Sequence, residues 1–260
     1  MFTAAHLQKG LCFLALLSSS GLHGEVTFGS NGEIVIPAAD CKVTDRSLAV
    51  TFKAKRWGMY TLSVDGGGTP LKGMVNAEGP VRPGNDSLGD FYVRKNSPCV
   101  VELKGATKGV QSLRLTPASE GDPVVQKAGE AIVLDAKCCR IEGVMLRYEP
   151  NPKKMCIGYW GNPKDTPHWE FTVTTPGRYE VILTQGCGRG GGGSAAVLET
   201  AGAALEFTVQ DTGGYQNWVE RPLGTVTFKK AGVQVLKVRI LKKARGIMDI
   251  RRIVLKPVAR

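Results

Sequence analysis

Over most of the chain, apolar and polar side chains alternate with a period of two, in short runs separated by turn residues. Leu205, Phe207 and Val209 alternate with Glu206, Thr208 and Gln210, and Val226 and Phe228 with Thr225 and Thr227. Leu62 and Val64 do the same in the first half, as do Val181 and Leu183 in the second, while Val233 to Val238 alternates less cleanly. Pro176-Gly177, Gly213-Gly214 and Ala231-Gly232 supply turn signals between the runs. A period of two places one face of each run on a core and the other in water, and short strands at regular spacing predict an all-β sandwich or barrel. Beyond the N-terminal segment no run has the 3.6-residue period of an amphipathic helix.

The strands recur in the same order twice. Ile34-Val35-Ile36-Pro37-Ala38-Ala39-Asp40-Cys41-Lys42-Val43 parallels Ile132-Val133-Leu134-Asp135-Ala136-Lys137-Cys138-Cys139-Arg140-Ile141. Phe52 through Gly58-Met59-Tyr60 parallels Phe171 through Gly177-Arg178-Tyr179, and Val110 to Pro117 parallels Ile250 to Pro257. The expected organisation is a first sandwich over 25–119, a linker over 120–128 marked by Gly121-Asp122-Pro123, and a second sandwich over 129–260.

Between the two runs Tyr179–Thr184 and Ala195–Thr200 lies Gly186-Cys187-Gly188-Arg189-Gly190-Gly191-Gly192-Gly193, with the G-x-G-x-x-G spacing of a dinucleotide site. Such a site needs a helix after the glycines to hold the pyrophosphate. The glycine run would weaken that helix by about 1 kcal/mol per residue. Strand alternation resumes by Leu205, and the first copy has only Gly66-Gly67-Gly68 at this place. The stretch is therefore expected to be a strand–loop–strand connection.

The first two dozen residues change the picture of where the protein works. Lys9, the apolar run Leu11 to Leu17 and the small residues Ser18 to Gly21 have the layout of a secretory signal peptide, expected as residues 1–24 with cleavage after Gly24 or Gly21. The mature protein is then secreted or periplasmic, with no membrane span. A formal charge of +11 suits anionic surfaces such as acidic or sulfated polysaccharide; no nucleic-acid recognition module is visible. Cys41, Cys99, Cys138, Cys139, Cys156 and Cys187 remain after the leader, and an exported chain could bridge them or bury them as free thiols. No C-x-x-C is present, which argues against zinc.

The second copy carries one large insertion that the first lacks. Residues 143–167 are an insertion holding Tyr148, Tyr159, Trp160, Asn162 and Asp165, and a second loop holds Tyr215, Gln216, Asn217 and Trp218. Sugar binding needs aromatic faces for the ring C–H groups and amides or carboxylates for its hydroxyls. Tyr159, Trp160, Asp165, Tyr215, Asn217 and Trp218 are the residues expected to line such a site. Trp169 and Phe171, sharing one strand face, are expected in the core. His168 is expected at a strand start, in or near water.

Tyr148, Ile157-Gly158-Tyr159-Trp160, Trp169-Glu170-Phe171-Thr172-Val173, Pro176-Gly177-Arg178-Tyr179 and the closing Met248-Asp249-Ile250-Arg251-Arg252-Ile253 resemble the galactose-binding-like β-sandwich modules of bacterial exported proteins. These modules are appended to sulfatases and glycoside hydrolases, notably in planctomycete-type bacteria. The resemblance covers nearly all of 130–258 and implies two tandem jelly-roll sandwiches, carbohydrate binding and no cofactor. A structural calcium between the first and last strands is common in related sandwiches, and Asp135 and Asp249 are the matching carboxylates. No sulfatase Cys/Ser-x-Pro-x-Arg motif and no Gly-x-Ser-x-Gly elbow occurs. The expected function is thus non-catalytic glycan recognition by the second domain. The alternatives are a structural or interaction protein of the cell envelope and an accessory module of a sulfatase or glycosidase system.

Overall fold

A computed structural model describes residues 26–67, 71–95 and 97–259; the expected signal peptide lies outside them. Among the described residues the regular structure is strand, with two one-turn 3₁₀ segments, Ala38–Asp40 and Ala136–Cys138. No helix among them is long and apolar enough to cross a membrane.

Residues 27–117 form two sheets. One is five-stranded, in the order Thr27–Phe28, Ile34–Pro37, Val110–Pro117, Gly58–Gly66 and Gly89–Val93. The other runs Lys42–Thr44, Ser47–Lys53, Pro98–Lys104 and Lys72–Val75. Their inward residues, among them Ile36, Leu48, Tyr60, Leu62, Phe91, Val101 and Leu113, make one core. Residues 124–257 repeat this at larger size. One six-stranded sheet follows the path Val124–Val125, Thr166–Val173, Gly232–Lys242, Ala195–Thr200 and Ala203–Thr208, with Arg140–Glu142 against Thr166–Val173. The other runs Arg147–Glu149, Cys156–Gly158, Asp249–Pro257, Gly177–Cys187 and Gly214–Phe228, with Ile132–Asp135 also against Asp249–Pro257. Each half is an all-β sandwich with its own core.

The duplication is visible in the pairing. Ile34–Pro37 and Gly58–Gly66 flank Val110–Pro117 as Ile132–Asp135 and Gly177–Cys187 flank Asp249–Pro257. Each first strand leads into the same 3₁₀ turn. Tyr60 and Tyr179 are also equivalent: each hydroxyl donates back to a carbonyl, of Arg56 at 3.3 Å and of Thr175 at 2.5 Å. Burial of the large ring stabilises the sandwich by about 2–3 kcal/mol, and the hydroxyl satisfies its hydrogen bond at the rim.

The second core is the more aromatic. Trp169 and Phe171 are buried as their alternation predicts, and the Trp169 indole donates to the Asp135 carbonyl at 2.9 Å. Phe228 meets Phe171 and Tyr179 edge to face, at 5.8 and 5.4 Å. His168 corrects its expectation. It is 9% exposed, on a strand paired on both sides, with its side chain facing a cavity that it shares with Arg82, Pro117, Ser119 and Arg140. Burial lowers its pKa to about 4, so the ring is neutral at physiological pH.

The segment expected as a linker is not a free tether. Val124–Val125 pairs in parallel with Phe171 and Thr172. The Gln126 side-chain oxygen accepts from the Thr174 and Thr175 amides, and its nitrogen donates to the Tyr179 hydroxyl at 2.7 Å. The halves also touch directly: Gly143 N–H donates to the Asn31 carbonyl at 2.9 Å, and Arg56 Nε to the Leu146 carbonyl at 3.4 Å. All six cysteines of the described residues are free thiols; burial pushes Cys41 to about 11 and Cys99 to about 12, so they stay protonated.

Candidate ligand pocket

The glycine-rich stretch backs Tyr215, which lines an aromatic cavity of the second half. Gly186 and Cys187 continue the long strand, and the return strand Ala195–Thr200 follows the loop directly, leaving no helix for a phosphate site. Ala201 (φ 49°) and Gly202 (φ 78°) then form the tight turn into Ala203–Thr208. Asp211, at the place of a ribose-binding acid, instead accepts from the Gly190 and Gly213 amides and ties the loop to the chain. The glycines serve close approach. A Cβ on Gly186 would lie 2.1 Å from the Tyr215 carbonyl oxygen, and one on Gly188 would lie 2.8 Å from the Tyr215 ring. Tyr215 therefore rests on bare backbone. Gly188→Ala is expected to displace the ring, read as a changed tyrosine environment in near-ultraviolet circular dichroism with the far-ultraviolet strand signal unchanged.

Tyr215 and Tyr159 face one cavity of about 440 Å³, lined also by Met145, Glu149, Lys154, Trp160, Gly161, Gln216, Ile247 and Asp249. Tyr159 sits at a strained positive φ of 60°, just past Cys156–Gly158, which turns its ring outward. The two tyrosines are 49% and 43% exposed. Behind Tyr159, the Arg147 guanidinium lies 4.7 Å from the ring centroid and 3.6 Å from that of Trp57. Trp57 also meets Tyr159 edge to face at 5.9 Å. The first half thus buttresses a wall of the second half's pocket through Trp57.

The polar wall is acidic. Strand pairing puts Glu149 opposite Cys156, and Ile157 opposite Ile250, which brings Asp249 to the same spot. The side-chain donor atoms of Glu149, Cys156 and Asp249 lie within 4.8 Å of one another. Cys156 Sγ–H points to Asp249 Oδ2 at 3.7 Å, and Lys154 Nζ donates to Glu149 Oε2 at 2.5 Å. Burial, and next the Glu149 charge, push Asp249 up to about 7, against smaller opposing effects of Cys156 and Lys154. Burial and the two carboxylates hold the Cys156 thiol well above its ordinary value. A Cβ on Gly158 would lie 2.2 Å from Glu149 Oε1, so this cluster also needs glycine beneath it.

Of the residues expected from sequence, Tyr159, Trp160 and Tyr215 line the pocket, as does Asp249. Trp160 is only 6% exposed, and its indole donates to the Asp165 carbonyl at 3.1 Å, so it closes the sandwich end and shows the cavity little more than an edge. Asp165 is enclosed, accepting from three backbone amides and Asn162. Asn217 donates to the Thr212 carbonyl at 3.0 Å and holds its own loop. Trp218 lies against Gly186 with Arg251 over its ring at 5.6 Å, outside the pocket lining. Asp135 does not join Asp249: it pairs with Arg252, further along the strand. The donors that do gather, two carboxylates and a protonated thiol, do not fit calcium, which takes six to eight oxygens. The sequence did not bring Glu149, Lys154 and Cys156 together; only the strand register assembles them.

No family model matches the chain, and no curated protein matches it. Among solved structures it is similar to a family 35 carbohydrate binding module from Clostridium thermocellum, at 12% identity over 49% of this chain and 98% of that one, with a TM-score of 0.41. It is also similar to the C-terminal CBM6 of LamC from Zobellia galactanivorans (20% identity, 48% of this chain, 98% of that one, TM-score 0.40). A third is the carbohydrate binding module CBM6cm-2 of Cellvibrio mixtus lichenase 5A in complex with cellotriose (17% identity, 49% and 97%, TM-score 0.39).

Proposed function

We propose that the protein is an exported carbohydrate-binding protein whose second sandwich holds a glycan residue in the Tyr159–Tyr215 pocket. The observation that carries this reading is the convergence of two exposed tyrosine rings, Tyr159 from the 143–167 insertion and Tyr215 from the start of the strand Gly214–Phe228, where a loop was expected, on one cavity of about 440 Å³ edged by Glu149, Asp249 and Gln216. Ring faces cover sugar C–H groups, while carboxylates and the amide take its hydroxyls. The role in this reading is recognition: Glu149 and Asp249 stand side by side, both in reach of the Cys156 thiol, where they can accept from sugar hydroxyls. The chain's net charge of +11 favours a second contact, separate from the sugar held in the pocket, in which Lys242, Lys243, Arg251 and Arg252, all outside the pocket lining, meet an acidic or sulfated polymer. That weaker contact fades with salt, and it is the part of the reading shared with an envelope interaction protein or an accessory module of a sulfatase or glycosidase system.

Glycan-array and affinity-gel binding of the wild type, Tyr159→Ala and Tyr215→Ala tests the pocket. Each variant is expected to bind roughly tenfold more weakly, about 1.4 kcal/mol, at high as well as low salt. Unchanged affinity in both would remove the pocket from the reading.

A further inference from the structure

We infer, on the carbohydrate reading of this pocket, that its preferred ligand carries a free primary amine: an unacetylated hexosamine residue, as in a deacetylated amino-sugar polymer. The charges facing the cavity are two carboxylates, Glu149 and Asp249, against one ammonium, Lys154. Lys154 is already engaged with Glu149, with its nitrogen 5.9 Å over the Tyr159 ring. The site therefore holds one ammonium between a carboxylate and an aromatic face. Among the described residues Asp249 beside it has no such partner: it is 5% exposed, and the hydrogen bond its side chain receives from them comes from a thiol at 3.7 Å, a weak donor. The remaining cations nearby are spoken for elsewhere: Arg147 lies behind Tyr159 on Trp57, and Lys243 donates to the Gly161 carbonyl at the rim. A sugar ammonium delivered to Asp249 would favour its ionised form and complete a charge-assisted hydrogen bond with it while the ring lies against the tyrosines. A uronic acid or sulfate would meet two carboxylates, and an N-acetyl group would remove the charge.

Calorimetric titration of the mature chain with glucosamine oligomers, N-acetylglucosamine oligomers, glucose oligomers and galacturonic acid oligomers of equal length tests this. The unacetylated oligomer is expected to bind at least tenfold tighter than the other three, and Asp249→Asn to abolish that preference. The wild-type ranking stands as a test even if the variant misfolds. Equal or tighter binding of an acetylated, neutral or acidic oligomer, lost in Tyr159→Ala, would overturn the amine inference and leave glycan recognition intact. Equally tight binding of cadaverine, an amine without a ring, would overturn the hexosamine assignment. Absence of binding to every oligomer and every arrayed glycan would overturn both readings.

Discussion

Asp249→Asn is expected to make the folded protein more stable above neutral pH, and the gain is expected to vanish in acid. Burial and the neighbouring Glu149 raise Asp249 from an ordinary 3.8 to about 7. Between those values the folded chain keeps a proton that the unfolded chain releases. Stability therefore falls as pH rises through this window and is lowest above pH 7. At about 1.4 kcal/mol per unit, the folded state loses on the order of 4 kcal/mol at alkaline pH, and the amide escapes that cost. Below the unfolded value both forms are neutral and the difference closes. Glu120, pushed up to about 7 by burial against the pull of Arg56 and Arg82, gives the wild type a second slope of the same sign, which cancels in the comparison. Urea unfolding of both proteins at about pH 8, 6 and 3 measures it; a difference independent of pH would mean that Asp249 ionises freely in the fold. The same substitution is expected to weaken amine binding. A variant that is more stable and yet loses its ligand cannot have lost it by unfolding, and a site kept at a cost to stability is one kept for binding.

The frame of this molecule was legible because it is written in local pattern. Period-two alternation and the paired motifs Phe52…Tyr60 and Phe171…Tyr179 gave strands that fall where the sheets lie. The glycine loop could be read as strand–loop–strand because a glycine run resists helix and Leu205 resumes alternation. The aromatic half of the pocket was partly legible: Tyr159 stands in the insertion that the first copy lacks, whereas Tyr215, expected in a loop, opens the strand Gly214–Phe228. The acidic half was not. Glu149, Cys156 and Asp249 meet only through the register of Arg147–Glu149 on Cys156–Gly158 and of Ile157 on Ile250, and sequence spacing carries no trace of it. Likewise, Asp135 looked like the partner of Asp249 while only strand order was known; pairing with Arg252 separates them. His168 sat at the start of a strand and looked wet, but that strand is paired on both sides and the side chain is 9% exposed.

Asp165→Ala is expected to destabilise the second sandwich by about 3–5 kcal/mol without removing any group that a ligand touches. The sequence made Asp165 a candidate sugar ligand, being a carboxylate in an aromatic loop. Its oxygens instead accept from the Met145 and Leu146 amides at 2.9 and 2.8 Å, from Val144 at 3.4 Å and from the Asn162 side chain at 2.8 Å. The residue is 1% exposed. Successive backbone N–H groups turned toward one anion form a nest. Gly143, at φ 149°, makes room for it, since a Cβ there would lie 2.3 Å from Asp165 Cγ. Alanine leaves those donors buried without acceptors, and each unmet donor costs about 1–3 kcal/mol. An amide in place of the carboxylate would be little better, because its nitrogen would face an N–H; Asp165→Asn is thus expected to fall close to Asp165→Ala. Thermal unfolding should show a drop of roughly 10 °C for either variant, with a shift in the fluorescence of Trp160, whose indole is bonded to the Asp165 carbonyl. A variant that melted like the wild type while losing glycan would return Asp165 to the binding site. The nest also explains why the pocket can be precise: it locks the 143–146 turn that carries Met145 and seats Trp160, so the exposed tyrosines work against a wall that an enclosed carboxylate holds rigid.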